Sequence, residues 1–170
     1  VGDLEPDAGE GRPGAHVQVA YCDQQREQLD PEKTLVDTIG EGNDTVYDYY
    51  EGVTDRLILG AGLDPSTLTI VRSSGALNDV TLNFGASGSI TLLEQFRDAG
   101  AGYAIEEIWF PTGEIWTKAD LAAAYIAQMQ TGGHDTIYGA SGDDTIAGLG
   151  GNDSLDGRDG SDVYVFNAGD

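Results

Sequence analysis

Short hydrophobic runs, separated by glycine, serine and aspartate, mark the central part of the chain. The clearest of them occupy residues 57–59, 68–71, 80–84 and 90–93. Each is only a few residues long and rich in large or β-branched apolar side chains, which favour strands over helices. A longer run at 104–110 is followed by the turn sequence Pro111-Thr112-Gly113 and by a second run at 114–116. This order predicts a β-hairpin.

One segment has helical periodicity instead. Its apolar residues recur every three or four positions and form a single face, which consists of Leu121, Ala122, Tyr125, Ile126 and Met129. Thr117, with Asp120 three residues later, is typical of a helix N-cap. Gly132 and Gly133 are expected to end the helix. We interpret the apolar face as a surface that packs on a core rather than as a cofactor contact.

Beyond the helix, the sequence follows a nine-residue period. Four aspartates recur at this interval, namely Asp135, Asp144, Asp153 and Asp162. A glycine stands two residues before each aspartate, and a bulky apolar residue stands two residues after it. A further glycine opens each of the last three units, at Gly139, Gly148 and Gly157. Regular self-similarity of this kind indicates a repeat architecture.

The period also predicts how the units stack. Each unit supplies a glycine-rich loop and a short strand, so two units make one turn of a flattened right-handed coil and equivalent loops lie 18 residues apart. Asp144 would face Asp162, and Asp135 would face Asp153. Glycine permits positive φ angles that bring carbonyl oxygens together. Because calcium takes about six to eight oxygen ligands, chiefly carbonyls and carboxylates, the stacked loops are candidate calcium slots.

The candidate calcium ligands are the loop residues that offer a side-chain oxygen or a glycine carbonyl. They are Asp135, Gly139, Ser141, Asp143, Asp144, Gly148, Gly150, Asn152, Asp153, Gly157, Asp159, Ser161 and Asp162. Asp159 stands at a variable position and is expected to supply only its carbonyl. Several calcium ions would be bound, because each pair of stacked loops makes its own slot.

The units that open at Gly139, Gly148 and Gly157 resemble the glycine-rich nonapeptide of the RTX (repeats-in-toxin, haemolysin-type) family. The resemblance implies a parallel β-roll, calcium ions in its loops, and export in the unfolded state by a type I secretion machinery. The first unit departs from the pattern, because Gln130 and Thr131 stand where the two leading glycines belong.

The resemblance extends upstream. Residues 42–48 are similar to the closing repeat of an earlier block, which adds Gly42 and Asp44 as weaker calcium candidates. Residues 55–117 are similar to the non-repetitive domain found between or after such blocks in haemolysin-type proteins.

These observations predict three zones. Residues 1–33 are interpreted as a linker or a poorly ordered edge, and 34–130 as a degenerate repeat plus a β-rich flanking and capping domain. Residues 131–170 form the RTX block. The expected fold class is all-β, a parallel β-roll flanked by a small β-rich domain with one short capping helix.

The net charge of the chain limits the kinds of partner that it can bind. The 170-residue chain has 30 acidic and eight basic residues, a net charge of −22. A nucleic-acid partner is excluded, because phosphate binding needs a basic surface. Membrane insertion by this segment is not expected, because no apolar run approaches the roughly 20 residues of a span. Clustered aspartates instead suggest a compensating cation, with an acidic surface of the halophile type as the alternative.

No enzyme is predicted. The chain has no H-E-x-x-H, G-x-S-x-G or P-loop motif, and its lone Cys22 has no catalytic signature around it. Residues 9–14 match G-x-G-x-x-G, but no strand precedes them and no helix follows. Glu106 and Glu107 are adjacent on a strand, so their side chains point to opposite faces. Of the two histidines, His16 and His134, the second is interpreted as a solvated loop residue.

We therefore expect a calcium-binding module of a longer, secreted bacterial toxin, enzyme or adhesin. Its partners would be calcium, the adjoining domains and, through other parts of that protein, the secretion machinery. An extracellular or cell-surface location follows from the resemblance. The alternative function is adhesion or carbohydrate recognition by the aromatic residues of 103–116, namely Tyr103, Trp109, Phe110 and Trp116. We expect these aromatic residues to belong to the core.

Overall fold

The computed structural model describes residues 42–48, 54–73, 75–97 and 103–167. The proposed linker at 1–33, with the G-x-G-x-x-G stretch, His16 and Cys22, lies outside the described residues.

The described part is rich in strands and contains one α-helix. The strands are β1 (Asn43–Val46), β2 (Arg56–Ile58), β3 (Thr69–Ser73), β4 (Ala76–Asn83), β5 (Ser89–Leu92), β6 (Glu107–Trp109), β7 (Ile115–Thr117), β8 (Thr136–Tyr138), β9 (Thr145–Ala147), β10 (Ser154–Asp156) and β11 (Val163–Val165). Helix α1 spans Lys118–Met129, and single-turn 3-10 helices lie at Pro65–Thr67 and Gly85–Ser87.

The first sheet has the strand order β1-β5-β4-β3. Strands β3, β4 and β5 are antiparallel neighbours, and β1 pairs with β5 in parallel. Alternate side chains face the core, so that Val80 lies opposite Leu92 and Leu82 opposite Ile90, and all four are at most 1% exposed. The sequence prediction of strands at 68–71, 80–84 and 90–93 is confirmed.

The predicted hairpin is confirmed as β6 and β7, which pair antiparallel. Its turn is closed by two backbone hydrogen bonds, from Phe110 N to Glu114 O at 2.9 Å and from Gly113 N to Phe110 O at 2.9 Å. Gly113 has a φ of 92°, which glycine adopts without strain. Strand β2 adds to β6 in parallel and completes a second sheet of three strands.

Helix α1 begins as predicted. Thr117 Oγ1 accepts from Asp120 N while the Asp120 carboxylate accepts from Thr117 N, a complete capping box. The predicted end is wrong, because the helix stops at Met129 and Gln130 is already extended, with φ −77° and ψ 114°. The extended Gln130 leads into the first repeat loop, where the Thr131 N–H binds the Asp135 carboxylate at 2.6 Å. In a continued helix the Thr131 N–H would instead donate to the carbonyl oxygen four residues earlier. The bond to Asp135 therefore replaces a helical hydrogen bond.

The two sheets and α1 enclose one apolar core. Phe96, Ile108 and Leu121 are at most 1% exposed within it. The predicted helix face supplies buried Leu121, Ala122, Tyr125 and Ile126 and partly buried Met129. Ile137 and Ile146 of the repeat block belong to the same cluster of buried residues, which joins the repeats to the core.

The repeat strands pair in parallel at the spacing expected from the period. Strand β8 pairs with β10, and β9 with β11. Ile137 lies opposite Leu155, and Ile146 opposite Tyr164, so each apolar residue stacks on the one that follows it by two units. By contrast, residues 42–48 contribute β1 to the first sheet rather than a strand to the repeats.

Candidate calcium-binding loops

The repeat block consists of four units, which we number from one to four and which open at Gln130, Gly139, Gly148 and Gly157. Units one and three stack on each other, as do units two and four. Backbone bonds join the stacked loops to the strands, from Ser154 N to Asp135 O at 2.9 Å and from Val163 N to Asp144 O at 2.8 Å. Each loop therefore lies directly against its counterpart two units later.

The sixth-position aspartates come together in pairs. The backbone N–H of Asp135 donates to Asp153 Oδ1 at 2.9 Å, and the N–H of Asp144 donates to Asp162 Oδ1 at 3.1 Å. Both contacts span 18 residues. The structure thus places side by side the two pairs that the period predicts. We call the loops of units one and two the inner loops and those of units three and four the outer loops. In each pair the aspartate carboxylate of the outer loop lies over the aspartate of the inner loop.

The inner aspartates also bind within their own loops. Asp144 Oδ2 accepts from Ala140 N at 2.7 Å. In unit one, Asp135 Oδ2 accepts from Thr131 N at 2.6 Å, and Asp135 Oδ1 accepts from Thr131 Oγ1 at 2.8 Å. Unit one therefore keeps the bond between the second and sixth positions although it lacks the leading glycines, and its threonine hydroxyl adds a contact.

The opening glycines lie under these carboxylates. A Cβ placed on Gly139 would stand 2.5 Å from both Asp144 Oδ2 and Gly157 O. A Cβ on Gly157 would overlap the carboxylate of Asp162, and one on Gly148 would overlap that of Asp153. Only glycine lets the sixth-position carboxylate fold back over the first position of its own unit.

The fourth-position glycines of the outer loops are required for a different reason. Gly151 and Gly160 have φ of 122° and 121°, a region that other residues rarely adopt. A Cβ on Gly151 would overlap the Gly133 carbonyl, and one on Gly160 would overlap the Gly142 carbonyl. The backbones of stacked loops thus approach closely at this position.

The fifth position carries an acceptor that the sequence did not reveal. Asp143 Oδ1 accepts from Ser161 N at 2.7 Å, and His134 Nδ1 accepts from Asn152 N at 2.8 Å. His134 is exposed, as predicted for a loop residue, but it also binds the next loop. Its place at the same repeat position as Asp143 is the signal that could have shown this contact.

The remaining candidates lie in the same loops, apart from the two upstream ones. Ser141 is buried and bridges Asp159, whose carbonyl accepts from Gly142 N at 3.0 Å. A Cβ on Gly150 would stand 3.6 Å from the Gly132 carbonyl of the inner loop.

The upstream candidates lie in the first sheet. Gly42 O accepts from Ser89 N at 2.9 Å, and Asp44 stands opposite Ile90. The structure does not bring these two residues together with the repeat aspartates.

The electrostatics of the second and fourth loops are unfavourable to a bare carboxylate. Asp144 is only 7% exposed. Burial raises the pKa of the Asp144 carboxyl, and the charges of Asp162 and Asp143 raise it further, while the Ala140 N–H and the Arg72 charge act in the opposite direction. Excess negative charge at a buried position favours a cation beside it.

The stacked loops carry oxygen atoms as potential metal ligands. Within the described ranges, no three His, Cys, Asp or Glu side chains converge on one metal position. Each stacked pair does place the carboxylate of the later aspartate against the backbone N–H of the earlier one, and carboxylate and carbonyl oxygens are the ligands that calcium accepts. Beside the Asp135–Asp153 pair lies an open cleft of about 660 Å³, which Tyr164 and Phe166 also line.

The aromatic residues of 103–116 mostly serve packing. Phe110 is 4% exposed and meets the half-buried Trp116 edge-to-face at 5.0 Å. The guanidinium of Arg97 covers the Tyr103 ring at 4.8 Å. Trp109 is the most exposed member of this set at 37%, and the Arg56 guanidinium lies over its ring at 5.5 Å.

A strand-rich chain with stacked, glycine-rich, carboxylate-bearing loops at a nine-residue period is characteristic of a calcium-binding repeat module. Residues 130–170 match the RTX calcium-binding nonapeptide repeat in four copies. RTX nonapeptide repeats bind Ca²⁺ and occur in secreted bacterial proteins, where they are structural rather than catalytic. The family recognised from the sequence is confirmed for this segment, including its divergent first unit.

A different similarity covers 46 residues. It is shared with the ATP-binding protein Uup of Haemophilus influenzae at 39% identity and with the protein of the same name in Escherichia coli at 44%. The ATP-binding protein Uup-like of Haemophilus influenzae is 37% identical. The aligned stretch is 27% of this chain and spans 7% to 10% of these relatives. No solved structure is significantly similar.

The described residues include no helix that is long and apolar enough to cross a membrane.

Proposed function

We propose that residues 131–170 form a parallel β-roll that binds several calcium ions between its stacked loops. The chain would act as the calcium-binding module of a larger secreted bacterial toxin, enzyme or adhesin. The observation that carries the proposal is the buried Asp144, whose backbone N–H binds the Asp162 carboxylate, so that two like charges lie close together. A calcium ion would supply the positive charge that this arrangement needs.

The ligands would come from both members of each stacked pair. In the pair of units two and four, the carboxylates of Asp144 and Asp162 and carbonyls of the two loops would hold the ion. In the pair of units one and three, Asp135 and Asp153 would do the same, with Asn152 and Gly150 in the outer loop. Because Asp135 and Asp153 are more exposed than Asp144, we expect this second site to bind more weakly.

The preceding region, 34–130 in the sequence interpretation, would cap the roll. Its apolar core continues into Ile137 and Ile146, which supports this role. The repeats beyond the turn that packs on this core would stay unfolded at the low calcium concentration of a bacterial cytosol and fold on the extracellular side, where calcium is plentiful. Folding outside the cell would suit export of the unfolded chain by a type I machinery and then stabilise the adjoining domains.

Calorimetric titration of the whole chain with calcium tests the proposal. Asp144→Ala and Asp162→Ala should each weaken the same binding step, because the two carboxylates share one slot. Asp159→Ala is the matched control, since its carbonyl is unchanged by the substitution. Extracellular calcium modules bind with Kd of about 10⁻⁴–10⁻³ M, so millimolar titrant is needed. The proposal is wrong if the wild-type chain binds no calcium, and the ligand assignment is wrong if all three variants lose affinity equally.

Two other functions have less support. ATP binding is a property of relatives of which the aligned stretch covers a tenth or less, and it is not extended to this chain. Adhesion or carbohydrate recognition through residues 103–116 would depend mainly on Trp109, because Phe110 and Trp116 pack against each other. A Trp109→Ala variant that lost binding to a glycan array would favour this alternative.

A further inference from the structure

Two cationic side chains of the sheet-and-helix region reach the loop of unit two. Arg72 extends from β3, and its Nη1 donates to the carbonyl oxygens of Tyr138 at 2.7 Å and Gly139 at 2.9 Å. Lys118, the first residue of α1, donates from Nζ to the hydroxyl of Ser141 at 2.9 Å. All three acceptors lie where the chain enters unit two.

Arg72 is held in place from several directions. Its guanidinium lies over the ring of Phe96 at 4.8 Å and over that of Tyr125 at 5.0 Å. Its Nε donates to Leu77 O at 2.8 Å, and its Nη2 binds the same carbonyl. The positive charge is therefore fixed at the loop by the core rather than by the loop itself.

Lys118 binds oxygen atoms from two segments of the chain. Its Nζ also donates to Arg97 O at 2.9 Å, and the Ser141 hydroxyl donates to that carbonyl as well. Carbonyl and hydroxyl oxygens at the loop of unit two thus bind two positive charges that come from the sheet-and-helix region. Oxygen sets of this kind are what a calcium ion gathers in a loop site.

Arg72 and Lys118 contact the unit-two loop on the side where no earlier repeat loop stacks. The loop of unit two stacks on that of unit four, 18 residues later. The residues that precede it by the same interval, 121–126, lie within α1 and do not form a repeat loop. Strand β8, which leads into unit two, likewise pairs only with β10 in its two-stranded sheet. The inner face of this loop therefore meets the capping region.

We propose that Arg72 and Lys118 take the place of a calcium ion at the inner face of the unit-two loop. This inference rests on the proposed calcium-binding function of the stacked loops. The two side chains hold the loop oxygens in place without a metal ion. Residues 136–147, in the first turn of the roll, are therefore already folded at low calcium. Calcium is then required only between this turn and the next, and the roll grows outward from the cap.

Amide hydrogen exchange of the whole chain in chelator tests the inference. In the wild type, residues 136–147 should exchange more slowly than residues 154–165. Lys118→Met should speed exchange in 136–147 by about tenfold or more, the order expected when a charge-assisted hydrogen bond is lost. Lys118→Arg, which keeps the charge, should retain most of the protection.

Two further variants keep the test interpretable. Arg56→Met removes a comparable cation from β2, where it pairs with Glu107 at 2.8 Å, and should leave exchange in 136–147 unchanged. Arg72→Lys keeps the charge but not the forked contact, and it should give an intermediate loss even if Arg72→Met fails to fold.

The outcomes separate the two ideas. Calcium binding in titration, with 136–147 unprotected in chelator or indifferent to Lys118→Met, overturns the cationic cap and leaves the proposed function standing. Failure of the wild-type chain to bind calcium overturns the proposed function and the cap together. Protection of 136–147 that depends on Lys118, in a chain that binds calcium, supports both.

Discussion

The described residues of 42–129 and those of 130–167 bury their apolar side chains to very different degrees. In the first region both sheets and α1 contribute to the core, and Leu82, Ile108 and Leu121 are at most 1% exposed. In the second, each unit contributes a single apolar residue to a narrow ladder. Ile137 and Ile146 are fully buried, Leu155 is half-buried, and Tyr164 is 44% exposed.

The ladder therefore weakens with distance from the core. Burial contributes roughly 25 cal/mol per Å² of apolar surface, so the first region has a sufficient source of stability and the outer turn has little. The outer turn instead relies on strand pairing and on backbone bonds to carboxylates such as Asp153 and Asp162. A fold that brings carboxylates together where little apolar surface is buried is one that a cation can control.

Removal of calcium should have the largest effect. With chelator, we expect residues 148–165 to lose protection from hydrogen exchange while 54–129 stay protected, because only the former depend on the ion. At ten times its Kd, each site contributes about 1.4 kcal/mol, so two sites decide the fold of a marginal turn. Circular dichroism should show a partial loss of β-signal. If both regions open together, they form one cooperative unit and the comparison fails.

Truncation of an apolar side chain should lower the free energy of unfolding more in the first region than in the second. Ile108→Ala is expected to cost about 2–5 kcal/mol, because the residue is fully buried. Leu155→Ala should cost less than about 2 kcal/mol, since the half-buried side chain leaves a smaller cavity. Urea denaturation in saturating calcium measures both, and Val71→Ala, at a 46% exposed position, is the neutral control. Equal losses would mean that the outer ladder is better packed than its exposure suggests.

Features that depend on neighbouring residues or on a regular period could be predicted from the sequence, and those that depend on tertiary packing could not. The hairpin and the Thr117 cap follow from residues a few positions apart, and the stacked aspartates follow from a strict period. The strand order β1-β5-β4-β3 and the contact from Arg72 to Tyr138, 66 residues away, depend on tertiary packing that no local pattern encodes. The acceptor role of His134 was missed because the sequence alone does not show that its ring nitrogen replaces the Asp143 carboxylate at this repeat position.

A single methyl group should distinguish tight from open loop positions. Gly157→Ala places a Cβ against the Asp162 carboxylate, so calcium affinity should fall by about tenfold, the order of one displaced ligand. Gly132→Ala is the matched control, because nothing lies within 4 Å of its Cβ position. Calorimetric titration compares the two variants. Similar affinities would show that the loop rearranges when calcium binds and that the carboxylate does not remain over the opening glycine.

The smallest expected effect concerns Asp55, a carboxylate of the first region that lies away from the calcium-binding loops. Burial, the hydrogen bond with Asp48 and the charges of Asp48 and Glu106 raise the pKa of Asp55 from 3.8 to about 6. Because the raised value belongs to the folded state, the protonated form is favoured on folding. Asp55 therefore opposes folding increasingly as the pH rises from about 4 to about 6, and by a constant amount above that range.

Asp55→Asn removes this ionisation, so the variant should gain stability relative to the wild type across that same pH window. Urea unfolding, followed by the fluorescence of Trp109 and Trp116 in chelator, measures the difference in the first region alone. Asp64→Asn is the control with the opposite sign, because hydrogen bonds from Ser66 lower the pKa of Asp64 and the wild type there loses stability as the pH falls. Parallel pH curves for the wild type and Asp55→Asn would show that the folded and unfolded states bind the Asp55 proton equally, so that its surroundings in the fold do not disfavour its charge.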